Sequence, residues 1–367
     1  MPSNFTNRPP NLPGSMEFPE LLGGKVLGFD NKLKKMPIAL FDPIPLGFPK
    51  IDAAFGGGAN PQHVMLIGGR QNVGKTILVV QIARNIATWA AEHDYPIVPA
   101  VFCYEHDELH LYIRLLCMES YHVDPENPIR YHEVVQAIKH VKQDYPNEEN
   151  VFSKCFEYLP DVGVKAHRRI SKLLDRIILY GASRVFTSYE TIVEIMDFYQ
   201  EKRGLTLIPI IDYWQTMPPV SKLIGKEIEN PNVVRSFNLG LLKDLAKSRY
   251  IPVIAVAAMD KNALVRPGPV HFEDVLGPEV AQYTPDDALI LNPESIHEYM
   301  DEKTGKMVRR TKIRMSIEKS RGGPSELEWS HEILGGSFFI SEMGEEVKTE
   351  DSYQMSRRKL IESKLDK

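Results

Sequence analysis

Apolar positions along this chain fall into short unbroken runs, separated by stretches in which they recur at helical spacing. Val64–Ile67 is one such run; a glycine-rich turn follows it, and Ile77–Ala91 then carries apolar residues with a helical period. Ile97–Tyr104 predicts a second strand and Glu108–Met118 a helix. Leu205–Asp212 and Ile251–Ala258 are further apolar runs, with helical Val233–Ser248 between them. Strands apolar on both faces belong to mainly parallel sheets covered by helices on both sides, and right-handed crossovers make the arrangement doubly wound. The expected fold class is therefore α/β. Past Ala288–Asn292 the texture changes. Ile296–Met300 and Val308–Ile317 read as the arms of a C-terminal β-hairpin turning through residues 301–306, where Thr304-Gly305 supplies the turn. Pro209 has no N–H to give a ladder, so a local bulge is expected within its strand.

Residues 1–14 hold four prolines and three asparagines and predict no regular element; a short helix capped by Ser15 could follow, limited by Pro19. We expect a Pro-rich arm over residues 1–36, one α/β domain over 37–342 and a charged tail over 343–367. Composition adds exclusions. At 43% hydrophobic and 25% charged residues the chain is globular. Lys plus Arg is 44 against 49 Asp plus Glu, a net charge of −5, so nucleic acid would have to be met by local patches. Three scattered cysteines make neither a disulfide framework nor a four-thiolate zinc site and fit a reducing compartment. Without a secretory pattern or a membrane-length apolar run, a cytoplasmic protein with no membrane partner is expected.

Gly69-Arg70-Gln71-Asn72-Val73-Gly74-Lys75-Thr76 matches G-x-x-x-x-G-K-[ST] between a predicted strand and a predicted helix that begins at Ile77. Glycines let the backbone curl so that successive N–H groups point at a polyphosphate, and the helix adds its positive end. Lys75 would reach the β and γ phosphates of ATP and Thr76 would ligate Mg2+. Asp212 ends a buried strand beside this loop, the place for a magnesium-shell carboxylate. Glu105 lies just past another strand on the same sheet edge, where open α/β folds bind ligands.

On these residues the chain resembles the RecA-like P-loop ATPases, and most closely the C-terminal motor domain of DnaB-family replicative helicases. The likeness runs from about Ile38 to Ile340 and rests on ordered segments: GGRQNVGKT, FCYEHDELHLYIRLLC, IIDYWQTM, IPVIAV and IEKSRGGPS. It implies that Glu105 polarises the attacking water and that Asp212 serves the magnesium shell. It also implies that Lys319 and Arg321, within Lys319-Ser320-Arg321-Gly322-Gly323-Pro324, reach the neighbouring subunit's nucleotide. Such cations act only across an interface, so a homo-oligomer, a hexameric ring, is implied.

The pattern also departs from the family's. Where the family has a γ-phosphate-sensing glutamine, this chain has Ala258. Of the loops that would face a pore, Pro218–Pro231 offers Lys222 and Lys226 and Pro267–Pro285 almost no bases, so that with Lys261 and Arg266 just before the second loop these four are the usable cations. Glu273, Asp274, Glu279, Asp286 and Asp287 crowd the second loop. Residues 1–36 are too short for the family's separate N-terminal domain, and the arm is a candidate subunit link instead. His106 and His110 have metal-ligand spacing but no third partner, so solvated histidines are expected. Packing is expected of Tyr213 and Trp214, and a solvated face of Arg168, Arg169, Lys172 and Arg176. The functional expectation is a DnaB-like helicase or translocase on single-stranded DNA, served by a protein loader or regulator. The alternative is an ATP-switched assembly or regulatory protein without unwinding activity, of a mobile-element or defence system.

Overall fold

The computed structural model describes residues 22–36, 40–220, 230–300 and 307–346. Nine strands form one sheet: β1 Val64–Gly69, β2 Ile97–Cys103, β3 Ile178–Gly181, β4 Thr206–Asp212, β5 Val253–Val256, β6 Asp287–Met300, β7 Met307–Lys319, β8 Leu327–Leu334 and β9 Phe339–Glu346, in the order β3-β2-β4-β5-β1-β6-β7-β8-β9. From β3 to β6 every pairing is parallel, and from β6 to β9 every pairing is antiparallel. β1, β2, β4 and β5 are buried along their whole length, as their unbroken apolar runs require.

The helices are α1 Leu22–Lys35, α2 Pro49–Ala54, α3 Lys75–Glu92, α4 Glu108–Val123, α5 Tyr131–Asp144, α6 Val151–Cys155, α7 Asp161–Ile170, α8 Tyr189–Arg203 and α9 Pro231–Arg249, with two shorter ones, Lys261–Val265 and Val280–Tyr283. α3 lies across β1, β2, β4 and β5 and meets α4, whereas α9 meets α8 and packs on β1 and β5. These are the two helical layers of a doubly wound fold.

Four features differ from the sequence expectations. Pro209 causes no bulge: β2 and β4 pair without a register shift from Ile97↔Thr206 to Cys103↔Asp212. β5 joins β4 only at Ile210 and Ile211, past the proline, so no ladder on that side needs its missing N–H. The two C-terminal arms are parts of a larger meander. Ala288–Asn292 and Ile296–Met300 fuse into β6 through an irregularity between Pro293 and Ser295, and β8 and β9 extend the sheet past residue 342, to Glu346. Within the expected arm, residues 22–35 form α1; the Ser15 cap lies outside the described residues. The turn at 301–306 lies outside them as well.

Candidate nucleotide site

β1 ends at Gly69 and α3 begins at Lys75, so the motif forms the connection between them. Its curl needs glycine at both ends. Gly69 has φ +150° and a Cβ there would sit 2.5 Å from the Leu291 carbonyl oxygen; Gly74, the N-terminal cap of α3, has φ +94° and its Cβ would meet Ile333 Cδ1 at 2.5 Å. Asn72 also has positive φ. Val73 anchors the loop in the core, Gln71 and Asn72 face outward, and Ile77 is half-buried on the first turn. The Arg70 guanidinium donates to the carbonyls of Leu264, Arg266 and Gly268 at 2.7–2.8 Å, so its contribution to the cradle is its backbone.

Lys75 is buried and its Nζ donates to the Gly69 and Arg70 carbonyls at 2.9 and 2.8 Å. Burial lowers its pKa to about 8 against the opposing pull of the Asp212 and Glu105 carboxylates. Thr76 Oγ1 donates to Asp212 Oδ2 at 2.8 Å. Asp212 is wholly buried, and burial raises its carboxyl to about 6 despite the Thr76 bond. Its Oδ1 has no hydrogen-bond partner among the described residues. A buried carboxylate oxygen left over beside a threonine hydroxyl and a phosphate-cradling loop fits a hard divalent cation that takes its other ligands from phosphate and water. No cluster of three acidic, histidine or cysteine ligands occurs among the described residues.

Glu105 is exposed just beyond β2, close enough to act electrostatically on both Lys75 and Asp212. Burial first, then the Asp212 and Glu105 carboxylates, hold the half-buried Tyr213 phenol well above its ordinary range. Lys75 Nζ lies 5.8 Å from the Tyr213 ring centroid. Thus the P-loop, Asp212 and Glu105 converge at the carboxyl edge of β1, β2 and β4.

Lys319 and Arg321 do not join them. Lys319 pairs with Ala288 across β6 and β7, and Arg321 reaches Asp286, which accepts the Val64 N–H at the start of β1. The five steps from Val64 to Gly69 separate the two groups by roughly 17 Å of strand. Within one chain these cations therefore stand at the opposite edge of the sheet from the phosphate loop.

At Ala258 an amide is nevertheless present. Gln215 Oε1 accepts the Ala258 N–H, and its Nε2 donates to the Ala258 and Leu276 carbonyls, all at 3.2 Å. Gln215 thus links the segment after Asp212 to the second loop. Sequence reasoning missed this residue; its only local signal is a polar side chain three positions past Asp212. Arg114 was missed too: it is close enough to act electrostatically on Asp212 and Glu105, with Nη2 3.0 Å from His106 Nε2.

The expected loop cations fare unevenly. Lys222 and Lys226 lie outside the described residues. Lys261 is exposed, whereas Arg266 is neutralised by Asp274 at 2.7 Å. Asp286 and Asp287 are core residues, not loop-facing charges. His106 and His110 stack on each other, and their Nε2 atoms lie against Arg114 and the Tyr131 hydroxyl, which leaves no shared metal site. Trp214 is fully buried, as expected of a packing residue. The solvated basic face largely holds: Arg168, Arg169 and Lys172 are exposed, although Arg169 pairs with buried Glu119, and the half-buried Arg176 donates to the Tyr95 carbonyl.

A P-loop on the central strand of this sheet, with a carboxylate at the end of a nearby strand, is the arrangement of a RecA-like P-loop fold. The family model "DnaB-like helicase C terminal domain" matches residues 43–155, which include the P-loop and Glu105; Asp212, Lys319 and Arg321 lie beyond it. One solved structure, an isolated ATPase domain, superposes with a TM-score of 0.61 at 18% identity, covering 89% of this chain and 100% of that one. A DnaB-like replicative helicase, solved in work on its interactions with primase, superposes with a TM-score of 0.59 at 18% identity, covering 89% of this chain and 67% of that one. No curated protein matches the sequence. The resemblance to the DnaB-family motor domain therefore holds in fold, and in sequence over the matched segment. Among the described residues no helix is long and apolar enough to cross a membrane.

Proposed function

We propose that this chain is a ring-forming, Mg2+-dependent ATPase whose turnover drives translocation on single-stranded DNA. The observation that carries the reading is the Thr76–Asp212 contact at 2.8 Å, with the second Asp212 oxygen left unpartnered against the P-loop. Thr76 and Asp212 would hold the magnesium ion, which when bound neutralises the β and γ phosphate oxygens. Lys75 exchanges its two loop carbonyls for phosphate oxygens of ATP. Glu105, exposed at the mouth of the site, accepts the proton of the attacking water. Lys319 and Arg321 neutralise charge on a neighbour's γ-phosphate, which makes turnover a property of the assembly.

A ring is also supported by α1, whose Leu22, Val26, Phe29 and Leu33 make an apolar stripe at helical spacing that is 46–72% exposed. A matching apolar groove of about 310 Å³ lies on the α4–α7–β3 side, lined by Leu109, Tyr112, Phe152, Leu173, Leu174 and Leu179. One subunit's α1 seated in the next subunit's groove would cover both.

Steady-state ATP hydrolysis with and without single-stranded DNA, with Lys75→Ala as the blank and particle mass recorded in parallel, tests the proposal. Stimulation by DNA in an intact ring is expected. Arg321→Ala should bind ATP but turn over slowly, and mixing it with Glu105→Ala subunits should restore part of the rate. Turnover indifferent to DNA in an intact ring would instead establish the second reading, an ATP-switched assembly or regulatory protein. The neutralised Arg266 favours that reading.

A further inference from the structure

Two adjacent aspartates where the chain enters β6 hold the segment that carries Arg321. Asp286 is fully buried. Its Oδ2 accepts the Val64 N–H at 2.8 Å and Lys243 Nζ at 2.6 Å, and its Oδ1 lies 2.8 Å from an Arg321 Nη. Asp287, also fully buried, lies 2.7 Å from His63 Nδ1 through Oδ2 and accepts the Arg321 backbone N–H at 3.3 Å through Oδ1. Arg321 is therefore gripped at its backbone and at one end of its guanidinium, while its side chain remains 62% exposed.

An exposed ion pair ordinarily orders little, because both partners are mobile and solvated. This one differs on the anionic side. The Asp286 carboxylate is fixed by a backbone N–H and an ammonium, and Lys243 shares its charge, so Arg321 meets a rigid anion that does not fully neutralise it. A guanidinium carries five N–H donors in a planar fork. Among the described residues Asp286 Oδ1 receives no hydrogen bond, so the 2.8 Å contact is an ion pair that holds the guanidinium beside the carboxylate and leaves its donors for an anion arriving from solvent.

We propose that Asp286 is a positioning residue for hydrolysis in trans: it sets the Arg321 guanidinium in advance for the γ-phosphate held by a neighbouring subunit. The inference rests on the reading of Arg321 as a trans-acting cation given above. Its physical content is preorganisation. A free arginine would lose rotamer freedom each time it reached the transition state, and a guanidinium set beforehand does not.

The test uses the full-length assembled protein. Asp286→Asn keeps volume and an acceptor for the Val64 N–H but loses the charge that aligns Arg321. It should lower kcat on the order of tenfold to a hundredfold at unchanged KM for ATP, with particle mass retained. The double variant Asp286→Asn, Arg321→Ala should be no slower than Arg321→Ala alone, because an aspartate that works only through Arg321 has nothing left to position. Asp286→Glu, with the charge kept but displaced, should fold and still lose kcat, which keeps the test open if the asparagine variant does not fold. Unchanged or raised turnover in Asp286→Asn, or a double variant slower by the product of the two single effects, overturns the positioning role. Unchanged turnover in Arg321→Ala removes the trans reading itself, and the positioning role with it.

Discussion

Lys75 and Asp212 sit in one buried site and are pushed in opposite senses by it, the ammonium toward losing its proton and the carboxylate toward keeping one. Each makes ionisation of the other less costly, and both were legible because the P-loop is local in sequence and a strand-end aspartate announces itself. Asp286, Gln215 and Arg114 were not legible. Their importance lies in which distant backbone or side chain they meet, and that depends on register and crossover. His331 shows the same limit and yields a stability prediction. It is fully buried in β8, edge-on to Phe48, with Nδ1 3.2 Å from the Trp329 carbonyl oxygen, and burial pushes its pKa down to about 4. In the unfolded chain the ring takes up a proton near pH 6.5. The folded state therefore holds its full advantage above pH 6.5 and loses it as pH falls toward 4, by about 3 kcal/mol in all. Melting temperatures between pH 7 and pH 4.5 should fall less steeply for His331→Gln than for the parent. Parallel slopes would show that this ring does not carry the acid sensitivity.

Among the elements, the core strands were readable because parallel strands must be apolar on both faces, whereas β3, β8 and β9 were not. β3 is a short edge strand of half-buried residues. β8 alternates buried polar and apolar positions in a meander, with no unbroken run to mark it. The helices α5 and α6 between β2 and β3 were missed because they pack on α4 and on one another rather than across the sheet, whereas α7 was expected from its basic residues. β9 depends on a contact from far away in the chain. The Gln81 side chain in α3 accepts the Ile340 N–H and donates to its carbonyl, both at 2.9 Å and both buried. That clamp satisfies an edge strand that would otherwise present open backbone groups. Gln81→Ala leaves those groups unpaired and should cost about 2 kcal/mol in urea unfolding. A change within a few tenths of a kcal/mol would mean that water replaces the glutamine without penalty.

For the whole molecule, the apolar stripe of α1 and the groove on the α4–α7–β3 side make the isolated subunit an incomplete object on the proposed reading. Phe29→Asp places a charge in the middle of that stripe while touching no part of the core. Particle mass should fall to that of smaller species with the melting transition of the domain retained; an intact large particle would mean that subunits are joined without α1. A last consequence follows from the run of β1, which puts Gly69 and the phosphate loop at one edge of the sheet and Arg321 beside Val64 at the other. A two-fold pair presents the same patch on both partners, so it suits donor and acceptor groups that share one surface. If Arg321 acts in trans as proposed, donor and acceptor occupy opposite edges, which calls for a head-to-tail joint that every added copy repeats. Such a joint has a direction, and the series of copies either closes on itself or keeps growing. If it stays open, the copy at one end has a phosphate loop that receives no arginine and the copy at the other end has an arginine with nothing to serve. Only closure completes every site.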